Sequence, residues 1–209
     1  MKREIDFSTW KRREHFEAFK NFDEPLFGIT MKVECSTAYK IAKQNTYPFS
    51  LYYLYLSLQT IHEIEEFRYR IEGDKVFCYD RVGASSTVFR DDETFGFAFY
   101  PYLEDIEEFM QVSLKEQKRV MAESGLKFHY SGEDVVHYST LPWADFTSVN
   151  HARKYDAHPS VPKITFGKLT KVDDKMWLPL DIHVNHALMD AFHVGKFVDR
   201  FQELLNTSF

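Results

Sequence analysis

The stretch HVNHALMDAF, residues 183 to 192, places two histidines and an aspartate where the hydrophobic period of the chain changes. Imidazoles near neutral pH can move protons or ligate zinc, and spacing decides between these roles. Ahead of the stretch, side chains alternate as in a strand. That alternation puts Asp181, His183 and Asn185 on one face and Ile182, Val184 and His186 on the other. The two rings diverge and no cysteine or glutamate stands at suitable spacing nearby, so no metal is expected. From Asp190 onward the period is helical, with Val194, Phe197, Val198, Phe201, Leu204 and Leu205 in one apolar stripe. Asp190 then falls at the N-cap or in the first turn, where it would stabilise the helix by about 1 kcal/mol. On its own, an HxxxD spacing favours the plainer reading of a helix cap and a histidine satisfied by a backbone carbonyl.

These residues need elements to hold them. Ser8 or Thr9 is a candidate cap for a short N-terminal helix on which Trp10, Phe16 and Phe19 recur at roughly helical spacing. Ser36 or Thr37 carries a similar signal. Pro48 fits the first turn of an apolar helix through Leu51, Leu54, Tyr55, Leu58 and Ile61, whose near-continuous hydrophobicity predicts burial. The period then shortens. FRYRIEGDKVFCYD reads as a hairpin turning at Gly73 and Asp74, followed by SSTVFR and the aromatic strand TFGFAFYPY. A helix returns with Ile106, Phe109, Met110, Leu114 and Val120 on one side and Gly125 as a stop. KITFGKLTKV and MWLPLDIHVNH flank the turn DDK as a long hairpin that delivers the chain into the opening stretch. Helices and strands are mixed rather than strictly alternating, which predicts an α/β sandwich with a mixed or mainly antiparallel sheet. Without a linker or repeat, residues 1–209 are expected to form one domain.

Composition narrows the function classes. Lys and Arg number 26 against 32 Asp and Glu, for a net charge of −6, and no basic stripe could track phosphates. Nucleic acid is not an expected partner. The 2 cysteines, Cys35 and Cys78, do not make a disulfide framework and are expected to be reduced and buried. No signal peptide or membrane span is recognisable, so a soluble cytoplasmic protein is expected. With 20 Phe, 12 Tyr and 3 Trp, some aromatics should line a concave surface as well as fill the core.

Beyond the single tetrapeptide spacing, WKRREHFEAF, TVFRDDETF, LPWADFTS and LPLDIHVNHALMDAFHVGKF follow one another in order along the chain. Together they resemble the signatures of the chloramphenicol acetyltransferase family, trimeric antibiotic-modifying enzymes that use acetyl-CoA. The resemblance covers nearly the whole chain and implies a two-layer α/β sandwich of the coenzyme A-dependent acyltransferase type. It casts His186 as the general base that takes a proton from the acceptor hydroxyl as that oxygen attacks acetyl-CoA directly in a ternary complex. Ser148 would donate to the oxyanion, and Thr165 would support the same intermediate through water. Asp190 would pair with Arg12 and so hold the loop of His186. Phe19, Phe27, Phe97 and Phe99 would wall the acceptor pocket, and Lys168 would approach the phosphates of the coenzyme. A homotrimer with active sites at subunit interfaces is implied too.

Two positions depart from the family form HHxxxDG: Asn185 precedes His186, and Ala191 follows Asp190. Ala191 is harmless in a helix and costly at positive φ. The segment VNHARKYDAHPSVP after Ser148 carries charges and histidines where the family's acceptor loop is more apolar. A different hydroxyl-bearing acceptor is therefore an alternative to chloramphenicol. So are an acyltransferase core of a 2-oxo-acid dehydrogenase complex and a relative that binds an aromatic ligand without turnover.

Overall fold

The computed structural model describes residues 1–152 and 159–207. Its main sheet has 7 strands in the order β2-β10-β8-β7-β5-β6, with β9 also paired to β10. These are β2 (Leu26–Glu34), β5 (Gly83–Phe89), β6 (Phe95–Tyr100), β7 (Val135–Thr140), β8 (Lys163–Phe166), β9 (Thr170–Val172) and β10 (Lys175–Asn185). The β5–β7 and β7–β8 pairs are parallel and the others antiparallel, so the sheet is mixed as expected. A smaller sheet of 3 strands joins β1 (Lys2–Glu4), β4 (Lys75–Tyr79) and β3 (Tyr69–Glu72), with the expected turn at Gly73.

Alternation along β10 explains the layering. Leu178, Leu180, Ile182 and Val184 are at most 1% exposed and form a core with α2 (Ser36–Gln44), α3 (Phe49–Glu63), α4 (Ile106–Ala122) and α5 (Ala191–Asn206). In α3, Leu51, Leu56, Leu58 and Ile61 are all buried, each stabilising the fold by about 1.5–3 kcal/mol. The opposite face of β10 carries Asp181, His183 and Asn185. A second cluster of Ile5, Phe16, Tyr69, Val76, Cys78, Ala187 and Leu188 lies between the small sheet, α1 (Arg13–Phe19) and the turn after β10. Arg70 ties β3 to the lead-in of β7 by donating to the carbonyls of Phe67, Tyr69, Glu133 and Val135. Both cysteines are free and buried. Among the described residues, no helix is long and apolar enough to cross a membrane.

Several local expectations need correction. The entry to α1 is shaped by Asp6, whose Oδ1 accepts from Ser8 N, and neither Ser8 nor Thr9 caps a helix. At α2, Ser36 Oγ accepts from Met176 N and Glu34 Oε1 accepts from Ser36 N, so the serine binds strand to helix instead of capping it. Leu114 is 36% exposed, and Ser113 takes its place on the buried side of α4. The long hairpin is interrupted, since β8 and β9 pair with separate parts of β10 across Gly167–Leu169.

Candidate active site

The chain leaves β10 at Asn185, and His186 stands in a turn rather than on a strand face. Asn185 builds that turn. Its Oδ1 accepts from Ala187 N at 2.9 Å, its carbonyl accepts from Leu188 N and Met189 N, and its Nδ2 donates to Pro159 O at 2.9 Å. Ala187 and Leu188 then sink into the second cluster, fixing the turn from below. His186 N donates to Pro25 O, and its ring stacks on Phe19 at 4.2 Å between centroids, with Phe27 at 4.8 Å. The ring's Nδ1 lies 3.2 Å from Met189 O. A carbonyl only accepts, so Nδ1 carries the proton, and in the neutral ring Nε2 keeps a free lone pair.

Asp190 caps α5, accepting from Phe192 N at 3.0 Å and completing a capping box with His193. Ala191 is the first residue of α5 and is not among the residues of positive φ, so its departure from glycine causes no strain. Arg12 Nη1 donates to Asp190 Oδ2 at 2.7 Å, while Nη2 donates to His186 O at 2.9 Å. The guanidinium, 11% exposed, thus holds the cap of α5 and the backbone of His186 together. It precedes α1 rather than lying within it. Burial is the largest single influence and would raise the Asp190 carboxyl, but the hydrogen bond and charge of Arg12, the nearby His193 and the Phe192 N–H together outweigh it and hold the group below the usual range.

The other residues singled out from the sequence lie elsewhere. Ser148 is exposed in the loop after β7, and among the described residues no hydrogen bond joins it to His186. Thr165 is fully buried on β8, with its hydroxyl 3.1 Å from His151 Nε2. Lys168 has an exposed side chain in the break between β8 and β9, and its N donates to Ala144 O. Phe97 and Phe99 stack on Phe128 and Tyr130 along β6, where they border a cavity of about 270 Å³. Strands β6 and β2 stand at opposite ends of the sheet order, so the expected aromatic walls do not meet within one chain. One chain therefore assembles Arg12, Phe19, Phe27, His186 and Asp190 and presents Ser148, Thr165, Lys168, Phe97 and Phe99 separately. Residues 153–158 of the loop after Ser148 lie outside the described residues.

His151, Asp181 and Thr30 carry no expected role from the sequence, yet they meet in the structure. Asp181 accepts from Thr30 at 2.6 Å and contacts His183 at 2.8 Å, and His151 approaches both from the loop. The alternation that separates His183 from His186 also pairs His183 with Asp181, a signal present in the sequence. The approach of His151 depends on a loop and had none.

A mixed sheet backed by helices on one face, with a histidine delivered from the end of a long strand, is an arrangement that solved acyltransferases share. The Azotobacter vinelandii dihydrolipoamide acetyltransferase shares this fold at a TM-score of 0.68 over 87% of this chain and 81% of that one, at 12% identity. A solved chloramphenicol acetyltransferase is nearer, with a TM-score of 0.89 and 28% identity over 99% of this chain and all of the other. The family model for chloramphenicol acetyltransferase matches residues 2–202. Chloramphenicol acetyltransferase 3 of Escherichia coli is 33% identical over 97% of this chain and 96% of its own length, and the Proteus mirabilis enzyme is 31% identical over 95% and 92%. The chain belongs to the chloramphenicol acetyltransferase family and is an enzyme of the acyltransferase class.

Proposed function

We propose that the protein, acting as one domain in the cytoplasm, transfers the acetyl group of acetyl-CoA to a hydroxyl of chloramphenicol. The observation that carries this reading is the orientation of His186. Its proton-bearing Nδ1 faces Met189 O, its ring is braced by Phe19 and Phe27, and Nε2 is left to act. Nε2 takes the hydroxyl proton as the acceptor oxygen attacks the thioester carbonyl. The tetrahedral intermediate collapses with cleavage of the carbon–sulfur bond, and the imidazolium returns the proton to the departing thiolate. The products are the acetyl ester and free coenzyme A, with no acyl-enzyme between them. Proton transfer of this kind contributes about 10²–10⁴-fold.

Ser148 donates to the oxyanion, Thr165 supports it through water, and Lys168 meets the coenzyme's phosphates. These groups come from a neighbouring subunit of a homotrimer. In each site the His186 half, walled by Phe19 and Phe27, faces the neighbour's half, walled by Phe97 and Phe99. The separation of the two groups within a single chain supports that arrangement.

A thiol-release assay with acetyl-CoA and chloramphenicol tests the reaction. Release should depend on both substrates, and His186→Ala should abolish it. Ser148→Ala should lower kcat by about 10²-fold or more. Wild-type release no faster than that of His186→Ala would sink the assignment. Acetyl-CoA binding without chloramphenicol acetylation would keep the chemistry and shift the acceptor to another hydroxyl compound.

A further inference from the structure

On the sheet face away from the helices, three side chains turn toward one point. Asp181 and His183 stand two residues apart on β10 and so project from the same face, and His151 reaches them from the loop after β7. His151 Nε2, Asp181 Oδ2 and His183 Nδ1 all lie within 4.8 Å of one another. His183 Nδ1 is 2.8 Å from Asp181 Oδ2, and His151 Nε2 is 3.8 Å from the same oxygen. Asp181 is 1% exposed, His183 14% and His151 23%.

A Thr–His–Asp proton relay would need His151 to address its two partners through two different nitrogens. Here a single nitrogen, Nε2, faces both the Thr165 hydroxyl at 3.1 Å and the Asp181 carboxylate. The groups converge rather than form a chain. Two imidazole nitrogens and one carboxylate oxygen aimed at a common point are the donor set of a divalent first-row transition metal. Calcium and magnesium would call for oxygen ligands throughout. Tetrahedral ligation at about 2.0–2.1 Å sets donors roughly 3.4 Å apart, so the His183–Asp181 contact must open by roughly half an ångström and the His151–Asp181 separation close by about as much, both within the reach of side-chain rotation.

The surroundings hold the donors in this orientation. Thr30 Oγ1 donates to Asp181 Oδ1 at 2.6 Å, occupying one carboxylate oxygen and leaving Oδ2 toward the histidines. Gly28 lies directly across from His183 on β2, and a Cβ there would stand 2.4 Å from His183 Nε2. The imidazole therefore occupies space that only a glycine leaves open.

We propose that His151, Asp181 and His183 form a binding site for a divalent transition-metal ion of the zinc type, with a water completing a four-coordinate shell. The bound ion clamps the loop after β7 to the middle of β10. Ser148 lies on that loop three residues before His151, so the clamp also restricts where Ser148 can stand.

The test needs no substrate, so its outcome is independent of the acetyl-transfer reading. Untagged full-length protein is stripped with a chelator and titrated with zinc chloride against a chromophoric competitor. One ion per chain is expected, and cobalt substitution should produce the ligand-field absorption of a four-coordinate ion. His151→Gln and His183→Gln should each weaken zinc uptake at least about tenfold while keeping the wild-type circular dichroism. Zinc should raise the Tm of the wild type and not that of the variants. Wild-type uptake below about a tenth of an ion per chain would overturn the site, as would zinc held equally tightly by both folded variants.

Discussion

A carbonyl oxygen has lone pairs and no proton, so a backbone carbonyl beside an imidazole dictates which ring nitrogen carries hydrogen. At His186 this rule leaves Nε2 open. At His62 in α3 a carbonyl again fixes the proton on Nδ1, but here a backbone N–H also takes up the lone pair of Nε2. Its Nδ1 donates to Leu58 O at 2.8 Å, and its Nε2 accepts from Val82 N at 3.2 Å, under a Tyr102 ring stacked at 3.7 Å. Both nitrogens are spent, and the ring fits its site only when neutral. Burial is the main force pushing the His62 pKa down to about 4, with Arg68 and Arg81 adding to it and the Leu58 bond opposing. The folded pKa lies below the unfolded value, so the unfolded chain binds the extra proton between roughly pH 6.5 and 4. His62 then contributes stability that is complete above about pH 6.5 and lost as pH falls toward 4, by up to about 3 kcal/mol. Urea unfolding across this window should show that loss. In His62→Gln, whose amide can still donate and accept, the dependence should be shallower, keeping only the part that comes from His137, whose pKa burial also pushes down to about 4. An equal slope in both proteins would remove His62 as its source.

Asp190 does its work between elements, starting α5 while holding Arg12 at the entrance to α1. Asparagine caps a helix as well as aspartate, so Asp190→Asn keeps the cap and removes the charge. Arg12 is then left largely buried without its carboxylate, and the bond it makes to His186 O loosens. Because Asp190 is itself partly exposed, the stability cost should be about 1–3 kcal/mol rather than that of a fully buried pair. Displacement of His186 should lower kcat by about tenfold or more. The depressed carboxyl contributes stability present above the ordinary carboxylate range and lost as pH falls through its folded value, so the variant should also lose less stability in acid. Unchanged unfolding and unchanged kcat would show that only the cap matters. The cap and the stripe of α5 were readable because both are local. The caps expected at Ser8 and Ser36 failed because Asp6 and Glu34, two residues before each serine, accept from the serine N–H groups. His151 meeting Asp181 across thirty residues of chain follows from a loop path and strand register that no local pattern encodes.

At the scale of the whole molecule, the order of strands separates what the chemistry must unite. Phe19, Phe27 and His186 stand at the β2 end of the sheet, and Phe97 and Phe99 at the β6 end. Ser148 is exposed on the loop between β7 and β8. If each site joins the His186 half of one subunit to the Ser148 half of the next, two defective chains can restore one another. Co-expressed in equal amounts, His186→Ala and Ser148→Ala chains assemble at random into rings. A site escapes both lesions when a Ser148→Ala chain supplies the histidine and a His186→Ala chain supplies the serine. That pairing arises in about a quarter of the sites of a closed ring, so the mixture should reach about a quarter of wild-type turnover, far above either variant alone. Sites contained within single chains would each carry one lesion, and the mixture would show no more than the average of the two variants. Light scattering on the same samples should give the mass of three chains, and a monomer mass would count against the shared site on its own.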